Sequence, residues 1–487
     1  MELTWLGLVL FPVGLLIFLV APRRLGHLAV FFIPFTASSV LNSPSGVPLS
    51  PFQWFSALFV AYQVLRFSNG NRSSLAVRGD RSLRLLMLFM AVVILSMIMP
   101  LWIDGRLQIS SNQLANLYME PLRLNEHNIK NPLTVIVGVV FVTFLVWAND
   151  TERKLLSTIK AYVIGGVGTA LWGLFQFLCS HVLDIEYPYY LFNNAKTEST
   201  QGFLQQLEID GQFVARVSSV TNEPSILAKY LLTVIPILLT SVWMKHALFS
   251  QRWDKVCLGV VIVTLVLATS TTGYLGLVAV FFVTSVVLNR YHPTALRFLG
   301  WILFVGVLVG SSIVIFPQVA EVLTVVTLEK ASSGSFLERV LSIITSWGYF
   351  LEYPVLGVGW AMVTSTDVIV NLLANSGVLG LATFSSLVIY VVLRTLQGLN
   401  FYVQKNGLEK HGHALIISLG LLISLVVSLM VGELTGIEFY LGYFYFTIGM
   451  LVAANRIVRA SMSGTEPRRF LSKNKPTHMI PIGNQSS

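Results

Sequence analysis

The sequence has 487 residues, of which 54% are hydrophobic and only 11% are charged, and its formal net charge is +9. This composition excludes a soluble globular domain and is typical of a membrane protein, because apolar runs of membrane-spanning length recur from end to end. The excess of Lys and Arg falls in alternate loops, which indicates orientation in a bilayer and argues against nucleic-acid binding.

Windows of roughly 17 to 22 apolar residues predict an all-α polytopic membrane protein with about thirteen transmembrane helices, within a range of about twelve to fourteen. No stretch shows a strand pattern. Only Thr271 and Thr272 separate the eighth and ninth spans, so one broken segment fits that stretch almost as well. We expect residues 1–460 to form a single membrane domain and residues 461–487 to form a disordered tail. The candidate spans are residues 3–21, 26–42, 51–67, 85–103, 132–148, 159–181, 226–244, 256–270, 273–289, 298–316, 372–393, 413–432 and 440–455.

The loops predict which way the chain is oriented. Most of the 32 Lys and Arg residues lie in one set of alternate loops, and most of the 23 acidic residues lie in the other set. The positive-inside rule places the basic loops and the C-terminus in the cytoplasm and the N-terminus outside. The external segments at about 104–131, 182–225 and 317–371 are too long for simple connections, so we expect function there. In the last segment we expect an apolar helix at 319–328 and an amphipathic helix at 336–350.

One stretch, R-V-S-S-V-T-N-E-P-S-I-L-A-K-Y-L, joins a long polar loop to a membrane helix and begins at Arg216. Pro224 suits the first turn of that helix, and Asn222 or Glu223 can cap its exposed N–H groups. The positive end of the helix, with Arg216 and Lys229 nearby, favours an anion such as a phosphate. An ordinary capped helix with a snorkelling lysine is the alternative.

Basic residues are scarce on the predicted external face, yet Arg216, Lys229 and Arg339 lie close to the membrane there. A partly buried arginine near a bilayer needs a partner, and its planar guanidinium suits phosphate oxygens. These residues therefore predict a clamp for a pyrophosphate-linked lipid. Pairing with local carboxylates such as Glu223 or Glu338 is the alternative.

Asp367 and Glu223 are the candidate general bases, since transfer of a glycosyl group to a hydroxyl needs at most one. Either carboxylate could equally cap a helix or pair with an arginine. The sequence has no metal-ligand cluster, nucleotide-binding loop or hydride-cofactor motif, so we expect neither a metal nor a cofactor.

The segment P-V-L-G-V-G-W is predicted to be a turn in the third external segment. Its glycines, Gly357 and Gly359, allow the backbone to approach a ligand closely. Trp360 at its end and Tyr189 in the second external segment are candidates for stacking on sugars. Aromatic residues at a membrane interface are just as often anchors.

These motifs resemble the signature of the O-antigen polymerase and ligase superfamily, which comprises membrane glycosyltransferases of bacterial surface polysaccharide. The layout is similar over most of the chain, and the specific motifs cover about 100 residues. They are Arg216 followed by N-E-P-S-I-L-A-K-Y-L, then A-T-S-T-T-G-Y-L-G. Arg339 follows, with W-G-Y-F-L-E-Y-P-V-L-G-V-G-W and N-L-L-A-N-S-G-V-L-G-L after it.

The resemblance implies that glycan is transferred en bloc from one undecaprenyl-pyrophosphate carrier to the sugar end of another. The transfer would occur at the periplasmic face of the bacterial inner membrane, in O-antigen, capsule or exopolysaccharide synthesis, without metal or nucleotide. The implied partners are the lipid-linked oligosaccharide, the bilayer, a chain-length regulator and a flippase. The implied pyrophosphate site comprises Arg216, Arg339, Lys229, Asn222 and Ser225.

Two other functions fit the layout. Ligases of the superfamily, which move glycan onto a lipid core or protein, carry a His-Asn pair before the closing glycine-rich element. Counted back from Gly377, Thr366 and Asp367 occupy those positions, and Asn375 replaces the acidic residue, so the sequence favours a polymerase. The second alternative is a non-enzymatic flippase or transporter. Such proteins usually show repeated halves and charged residues in mid-membrane, whereas the polar residues of this chain are concentrated in the predicted external loops.

Overall fold

The computed structural model of the protein is a bundle of long helices, which confirms the all-α membrane class that the composition predicts. The structure describes residues 2–42, 48–68, 80–110, 119–124, 126–183, 185–195, 206–209, 212–289, 334–406, 412–431 and 442–462. The predicted span at 298–316, the apolar helix at 319–328 and the tail beyond residue 462 lie outside these ranges.

The α-helices begin and end as follows. They are α1 (Trp5–Val20), α2 (Leu25–Phe31), α3 (Pro51–Ser68), α4 (Arg81–Ser96), α5 (Ile98–Ile103), α6 (Glu126–Ala148), α7 (Glu152–Leu178), α8 (Pro224–Trp243), α9 (Gln251–Leu267), α10 (Thr271–Asn289), α11 (Gly334–Glu352), α12 (Val368–Asn406), α13 (His413–Val431) and α14 (Tyr443–Met462). A π-helical turn, Cys179–Leu183, extends α7, and Tyr189–Leu191 form a 3-10 turn.

Six helical segments of the described chain are long and apolar enough to cross a membrane. The remaining predicted spans are shorter or less apolar where they are described, so the count of about thirteen stays a prediction. The segments are Arg81–Ile103, Glu152–Leu183, Pro224–Trp243, Thr271–Asn289, Val368–Gln404 and His413–Met430.

The predicted span over residues 26–42 is wrong. Helix α2 ends at Phe31, and turns follow it. Pro34 has no N–H to donate and disfavours helical backbone in the residue before it, so the helix cannot continue through this stretch. The segment ends instead in a short strand that pairs with the N-terminus.

Short strands also occur where we expected none. The described residues form three antiparallel two-stranded sheets, in which each strand has two to four residues. Strands of this length show too little alternation of apolar and polar residues to be recognised in a sequence. They are β1 (Glu2–Leu3) with β2 (Leu41–Asn42), β3 (Gln108–Ser110) with β4 (Met119–Pro121), and β5 (Gln206–Ile209) with β6 (Gln212–Ala215).

The polar break between the eighth and ninth predicted spans separates two helices. Helix α9 ends at Leu267 and α10 begins at Thr271, so the prediction of two segments is confirmed. Thr269 turns the chain with a positive φ of 45°, a conformation that is uncommon outside glycine.

Helix α8 is the centre of the bundle, because α7, α9, α10 and α13 all pack against it. Nearly every residue along its length is buried. Small residues of the neighbouring helices allow this close packing: Gly166 of α7 faces Val234, and Gly276 of α10 faces Leu232. A helix enclosed in this way has its orientation fixed from several sides, and so has the chain that leads into it.

Several polar side chains within this core are hydrogen bonded to one another or to the backbone. The Tyr162 hydroxyl hydrogen bonds that of Thr233, and the Ser424 hydroxyl of α13 donates to the Thr233 carbonyl at 2.7 Å. The Tyr230 hydroxyl donates to the carbonyl of Tyr162 at 3.1 Å. Buried polar groups that are hydrogen bonded stabilise one arrangement of α7, α8 and α13, since any other leaves them unpaired.

We predict that Gly420→Ala destabilises the protein. A Cβ at Gly420 of α13 would lie 2.8 Å from the Cα of Ile237, so α8 and α13 would have to separate. Overpacking of this kind costs about 1–3 kcal/mol, which outweighs the ~1 kcal/mol gain in helix propensity. The measurement is the thermal unfolding midpoint of the purified protein.

The matched control for that prediction is Gly168→Ala on α7, where a Cβ meets no heavy atom within 4 Å. This variant should unfold at the wild-type temperature or slightly above it. Equal midpoints for the Gly420 and Gly168 variants would show that α8 and α13 are not packed as described.

Candidate functional site

The predicted start of the membrane helix is confirmed at the N-terminus of α8. Glu223 is the N-cap residue, with extended backbone (φ −145°, ψ 151°), and Pro224 follows in the first turn. The Glu223 side chain makes no capping hydrogen bond to the helix backbone. Its carboxylate accepts instead from the Ser225 hydroxyl at 3.0 Å. The first N–H groups of α8 are therefore not capped by this carboxylate.

Two further residues shape this helix start. The Thr221 hydroxyl donates to the carbonyls of Ser218 at 2.7 Å and Glu223 at 2.9 Å. The Asn222 N–H donates to the Thr36 hydroxyl at 3.2 Å. The side-chain oxygen of Asn222 is buried and has no hydrogen-bond donor among the described residues. Asn222 thus brings an unsatisfied acceptor to the helix start.

The chain before α8 is held by a glutamine of α7. The Oε1 atom of Gln176 accepts from the backbone N–H groups of Ser218 at 3.0 Å and Ser219 at 2.7 Å. Asn193 donates to the Ser219 carbonyl at 2.9 Å, and the Ser219 hydroxyl donates to the carbonyl of Thr169 at 2.7 Å. Our sequence reasoning did not identify Gln176. The feature of the sequence that could have pointed to Gln176 is its position as a polar residue within an otherwise apolar span.

Arg216 lies directly before this pinned segment and reaches the turn between α9 and α10. Its Nε donates to the Thr269 hydroxyl at 3.3 Å, and its Nη2 donates to the Thr269 carbonyl at 3.0 Å. Two motifs that are far apart in the sequence therefore meet here. Burial lowers the pKa of the Arg216 guanidinium, while Glu223 and Tyr274 act in the opposite direction. An arginine remains charged under such shifts, so this is a cation near the start of α8.

Lys229 lies on α8 and is only 9% exposed. The alternative of a snorkelling lysine, whose ammonium group reaches water while its stem is buried, stays a prediction. A lysine this deeply enclosed is expected to be paired, since desolvation of an ammonium group is costly.

Tyr189 belongs to the same neighbourhood. It lies in the 3-10 turn Tyr189–Leu191, half-buried, with its ring 4.7 Å from that of Tyr187 in an edge-to-face contact. Burial raises the pKa of its hydroxyl, and a hydrogen bond with Gln176 acts against that shift. Gln176 thus contacts both the aromatic turn and the segment that carries Arg216.

A second group of predicted residues surrounds Arg339 of α11. The hydroxyls of Ser342 and Thr366 both donate to the Arg339 carbonyl, at 2.8 and 3.4 Å. Asp367 follows Thr366 in the chain, so Arg339 and Asp367 belong to one cluster. The Oδ1 atom of Asp367 accepts from the Val370 N–H at 2.8 Å. Asp367 therefore caps the start of α12, and its role as a general base stays a prediction.

Asn375 connects the loop before α12 to the helix. Its Nδ2 donates to the carbonyls of Val363 and Asn371, both at 2.9 Å, and its Oδ1 accepts from the Val363 N–H at 3.1 Å. The Asn371 side chain accepts from the Ser365 N–H at 3.2 Å. An amide suits Asn375 because it must donate and accept at once, which a carboxylate cannot do.

Helix α12 is broken at Gly377 (φ 63°, ψ −166°), and the turn at 354–358 fills the break. Val358 donates to the carbonyl of Ala374 at 2.8 Å, and the Val378 N–H donates to that of Pro354 at 2.9 Å. A Cβ at Gly377 would overlap the carbonyl of Val355. The helix break and the turn thus satisfy each other's backbone groups.

Gly357, Gly359 and Trp360, which we predicted to contact a ligand, are surrounded by protein atoms. A Cβ at Gly357 would overlap the carbonyl of Ala374, and one at Gly359 would overlap the ring of Pro100. The close approach that these glycines allow is therefore to protein atoms. Trp360 is 2% exposed and packs edge to face on Phe89 at 5.8 Å. Its ring is covered, so the prediction that it stacks on a sugar is contradicted.

The predicted site residues thus fall into two clusters. The first cluster, at the start of α8, contains Arg216, Asn222, Glu223, Ser225 and Lys229. The second cluster contains Arg339 and Asp367. Helix α13 packs against both α8 and α12, the helices that begin in the two clusters. The prediction that both arginines hold one ligand stays a prediction.

A comparison with protein-family models gives no match to this chain, and a comparison with curated proteins gives no significant match. The superfamily resemblance therefore rests on the motifs quoted above.

We predict that Gln176→Met loosens the first cluster. Methionine has similar volume but no amide oxygen, so the buried N–H groups of Ser218 and Ser219 would lose their acceptor. An unsatisfied buried donor costs about 1–3 kcal/mol, so the unfolding midpoint should fall by several degrees. The matched control is Gln63→Met on α3, a buried glutamine for which no hydrogen bond to a described residue is found. An equal loss in the two variants would contradict the role of Gln176.

Proposed function

We propose that this protein is a membrane glycosyltransferase that polymerises undecaprenyl-pyrophosphate-linked oligosaccharide units. One observation supports this more than any other: Arg216 is bonded to the turn between α9 and α10 and lies close to the start of the enclosed helix α8. A fixed guanidinium beside a helix N-terminus is a favourable arrangement for a pyrophosphate. The motifs that meet here are also those that carry the superfamily resemblance.

The proposed reaction exchanges one bond for another. The bond between the anomeric carbon of the donor glycan and the pyrophosphate oxygen breaks, and the acceptor hydroxyl oxygen takes the position on carbon. The proton of that hydroxyl passes to a general base, and the polyprenyl pyrophosphate leaves as an anion. Arg216 and the N–H groups of α8 would stabilise the charge that develops on it. Because pyrophosphate is a good leaving group, positioning of the two glycans supplies much of the acceleration.

Asp367 is better placed than Glu223 to be the base. Glu223 interacts electrostatically with Arg216 and accepts from Ser225, so its carboxylate is already engaged with residues of the proposed pyrophosphate site. Asp367 lies in the other cluster, and its cap uses Oδ1, whereas a carboxylate has two acceptor oxygens. In this proposal Asp367 takes the proton of the acceptor hydroxyl, and Glu223 orients Arg216.

The other predicted residues have distinct parts in this proposal. Arg339, next to Asp367 in the second cluster, completes the phosphate clamp from the other side. Asn222 would hold the chain at the helix start through the bond from its N–H to the Thr36 hydroxyl. Ser225 and Lys229 support the helix start at which the pyrophosphate binds. Tyr189 is the remaining aromatic candidate for contact with a sugar.

The location follows from the same proposal. The bundle would lie in a bacterial inner membrane with both clusters at the periplasmic face and the C-terminus in the cytoplasm. A flippase would deliver the lipid-linked units to that face, and a chain-length regulator would limit their polymerisation. The ligase alternative is less favoured, because Asn375 is fully engaged in backbone and amide hydrogen bonds at the position of the ligase's acidic residue.

We predict that Arg216→Ala and Arg339→Ala each leave cells with single repeat units in place of long chains. Removal of one charge-stabilising donor lowers a transfer rate by roughly 10²–10³-fold. Arg216→Lys should be intermediate, since lysine keeps the charge without the planar fork. The measurement is the chain-length ladder at equal protein level. A second measurement is the formation of oligomers by the purified variants from a synthetic polyprenyl-pyrophosphate oligosaccharide.

The control for these variants is Arg123→Ala, which removes an exposed arginine from the predicted external face. Its ladder should match that of the wild type. Unchanged ladders in both the Arg216 and Arg339 variants would eliminate the clamp. A shortened ladder in the Arg123 variant would assign the effect to surface charge instead.

We predict that Asp367→Asn separates capping from catalysis. Asparagine keeps an oxygen for the Val370 N–H, so the start of α12 and the unfolding midpoint should be preserved. It cannot take up a proton as a base, so the turnover of the purified protein should fall by about 10²–10⁴-fold. Full activity in Asp367→Asn, together with loss of stability in Asp367→Ala, would show that Asp367 is only a cap.

A further inference from the structure

A group of arginines lies beside the second half of α12, away from Asp367. Arg394 of α12 and the pair Arg456 and Arg459 of α14 are brought together because these two helices pack side by side. The Nδ2 atom of Asn455 donates to the Thr395 hydroxyl at 2.8 Å, which fixes the helices at this level. Thr395 and Asn455 are the chain neighbours of Arg394 and Arg456. The three arginines therefore lie at about the same level of α12 and α14.

Arg394 is held in a definite orientation. Its Nε donates to the Tyr390 hydroxyl at 2.9 Å, and its guanidinium carbon lies 5.3 Å from the centre of the same ring. The first interaction uses the Nε–H and the second uses one face of the guanidinium. Neither uses the four N–H donors of the two terminal nitrogens. Arg459, which is exposed, lies within electrostatic range of Arg394.

Two nearby carboxylates, Asp80 and Asp150, act electrostatically on Arg456, and Asp80 also acts on Arg459. Asp80 caps α4 by accepting from the Ser82 N–H at 2.8 Å, and Asp150 pairs with Lys154 at 2.6 Å. Neither of the ion pairs found among the described residues includes Arg394, Arg456 or Arg459. Like charges held together in this way repel each other, and an anion that enters between them removes this repulsion.

We propose that Arg394, Arg456 and Arg459, which we call the arginine joint, bind the phosphate group of an anionic phospholipid. The ligand chemistry is that of a phosphate oxyanion, which the planar guanidinium fork matches with paired hydrogen bonds. Arg459 lies in the last turn of α14, and lipid headgroups are concentrated at the ends of membrane helices. Basic pockets between such helices are known to take anionic headgroups. Arg394 is separated from Asp367 by more than half the length of α12, so the site is distinct from the proposed catalytic clusters.

The test compares the purified full-length protein with R394Q/R459Q and with the control R252Q/K255Q. The control removes two exposed charges from the first turns of α9. Native mass spectrometry counts phosphatidylglycerol retained from mixed micelles that also contain phosphatidylcholine. Two cations near a headgroup strengthen binding by roughly tenfold or more. R394Q/R459Q should therefore retain about a tenth as much phosphatidylglycerol as the wild type, and the control should retain as much as the wild type.

Two further arms complete the experiment. Inorganic phosphate at millimolar concentration distinguishes a free anion from a lipid: displacement of phosphatidylglycerol shows that the phosphate group alone is recognised, and no displacement shows that the lipid is required. Either result supports the site. R394K/R459K should recover part of the binding, because lysine keeps charge but not the fork. Equal lipid retention in wild type and R394Q/R459Q, or an equal loss in the control, would overturn the proposal.

Discussion

The enclosure of α8 is the constraint on which the rest of the structure depends. Four helices pack around it, and glycines on its neighbours bring their backbones close. A central helix that cannot tilt or slide gives the chain before it a fixed starting direction. Gln176 then holds that chain through two backbone N–H groups, so the position of Arg216 is determined by the packing of α7 on α8. A charged side chain near a bilayer is useful for recognition when it is held in this way, because its ordering entropy is lost during folding.

The second cluster is likewise held in place by hydrogen bonds from neighbouring segments, but through different groups. Helix α12 is interrupted at Gly377, and the turn at 354–358 supplies the donors and acceptors that the interruption exposes. Asn375 and Asn371 hold the loop that leads to Asp367. Almost every polar group here has a structural task, including the Oδ1 atom of Asp367 itself. The proposed chemistry at this cluster would therefore use the oxygen of Asp367 that the cap does not use.

Much of this architecture could be predicted from the sequence. Apolar length located most of the described helices, and Pro224 identified the start of α8. The end of α2 before Pro34 was not predicted, since a single proline hardly changes the average hydropathy of an apolar window. Side-chain partners were harder to predict. Gly357 and Gly359 were read as places for a ligand, whereas the structure fills them with its own atoms, because a sequence does not show which backbone approaches a glycine. The ring of Trp360 is covered by tertiary packing against Phe89, which the sequence does not show either. Gln176 was not identified because its partners lie on the loop that leads into α8.

The central claim is that the start of α8 receives the pyrophosphate of a lipid-linked glycan. A photoreactive polyprenyl-pyrophosphate probe, with its reactive group next to the phosphates, tests it most directly when the labelled peptides of the membrane-embedded protein are mapped by mass spectrometry. The account predicts labelling within residues 216–225 and at the turn around Thr269, with excess unlabelled polyprenyl pyrophosphate abolishing it. Labelling confined to other parts of the chain, or labelling that the competitor leaves unchanged, would contradict the account.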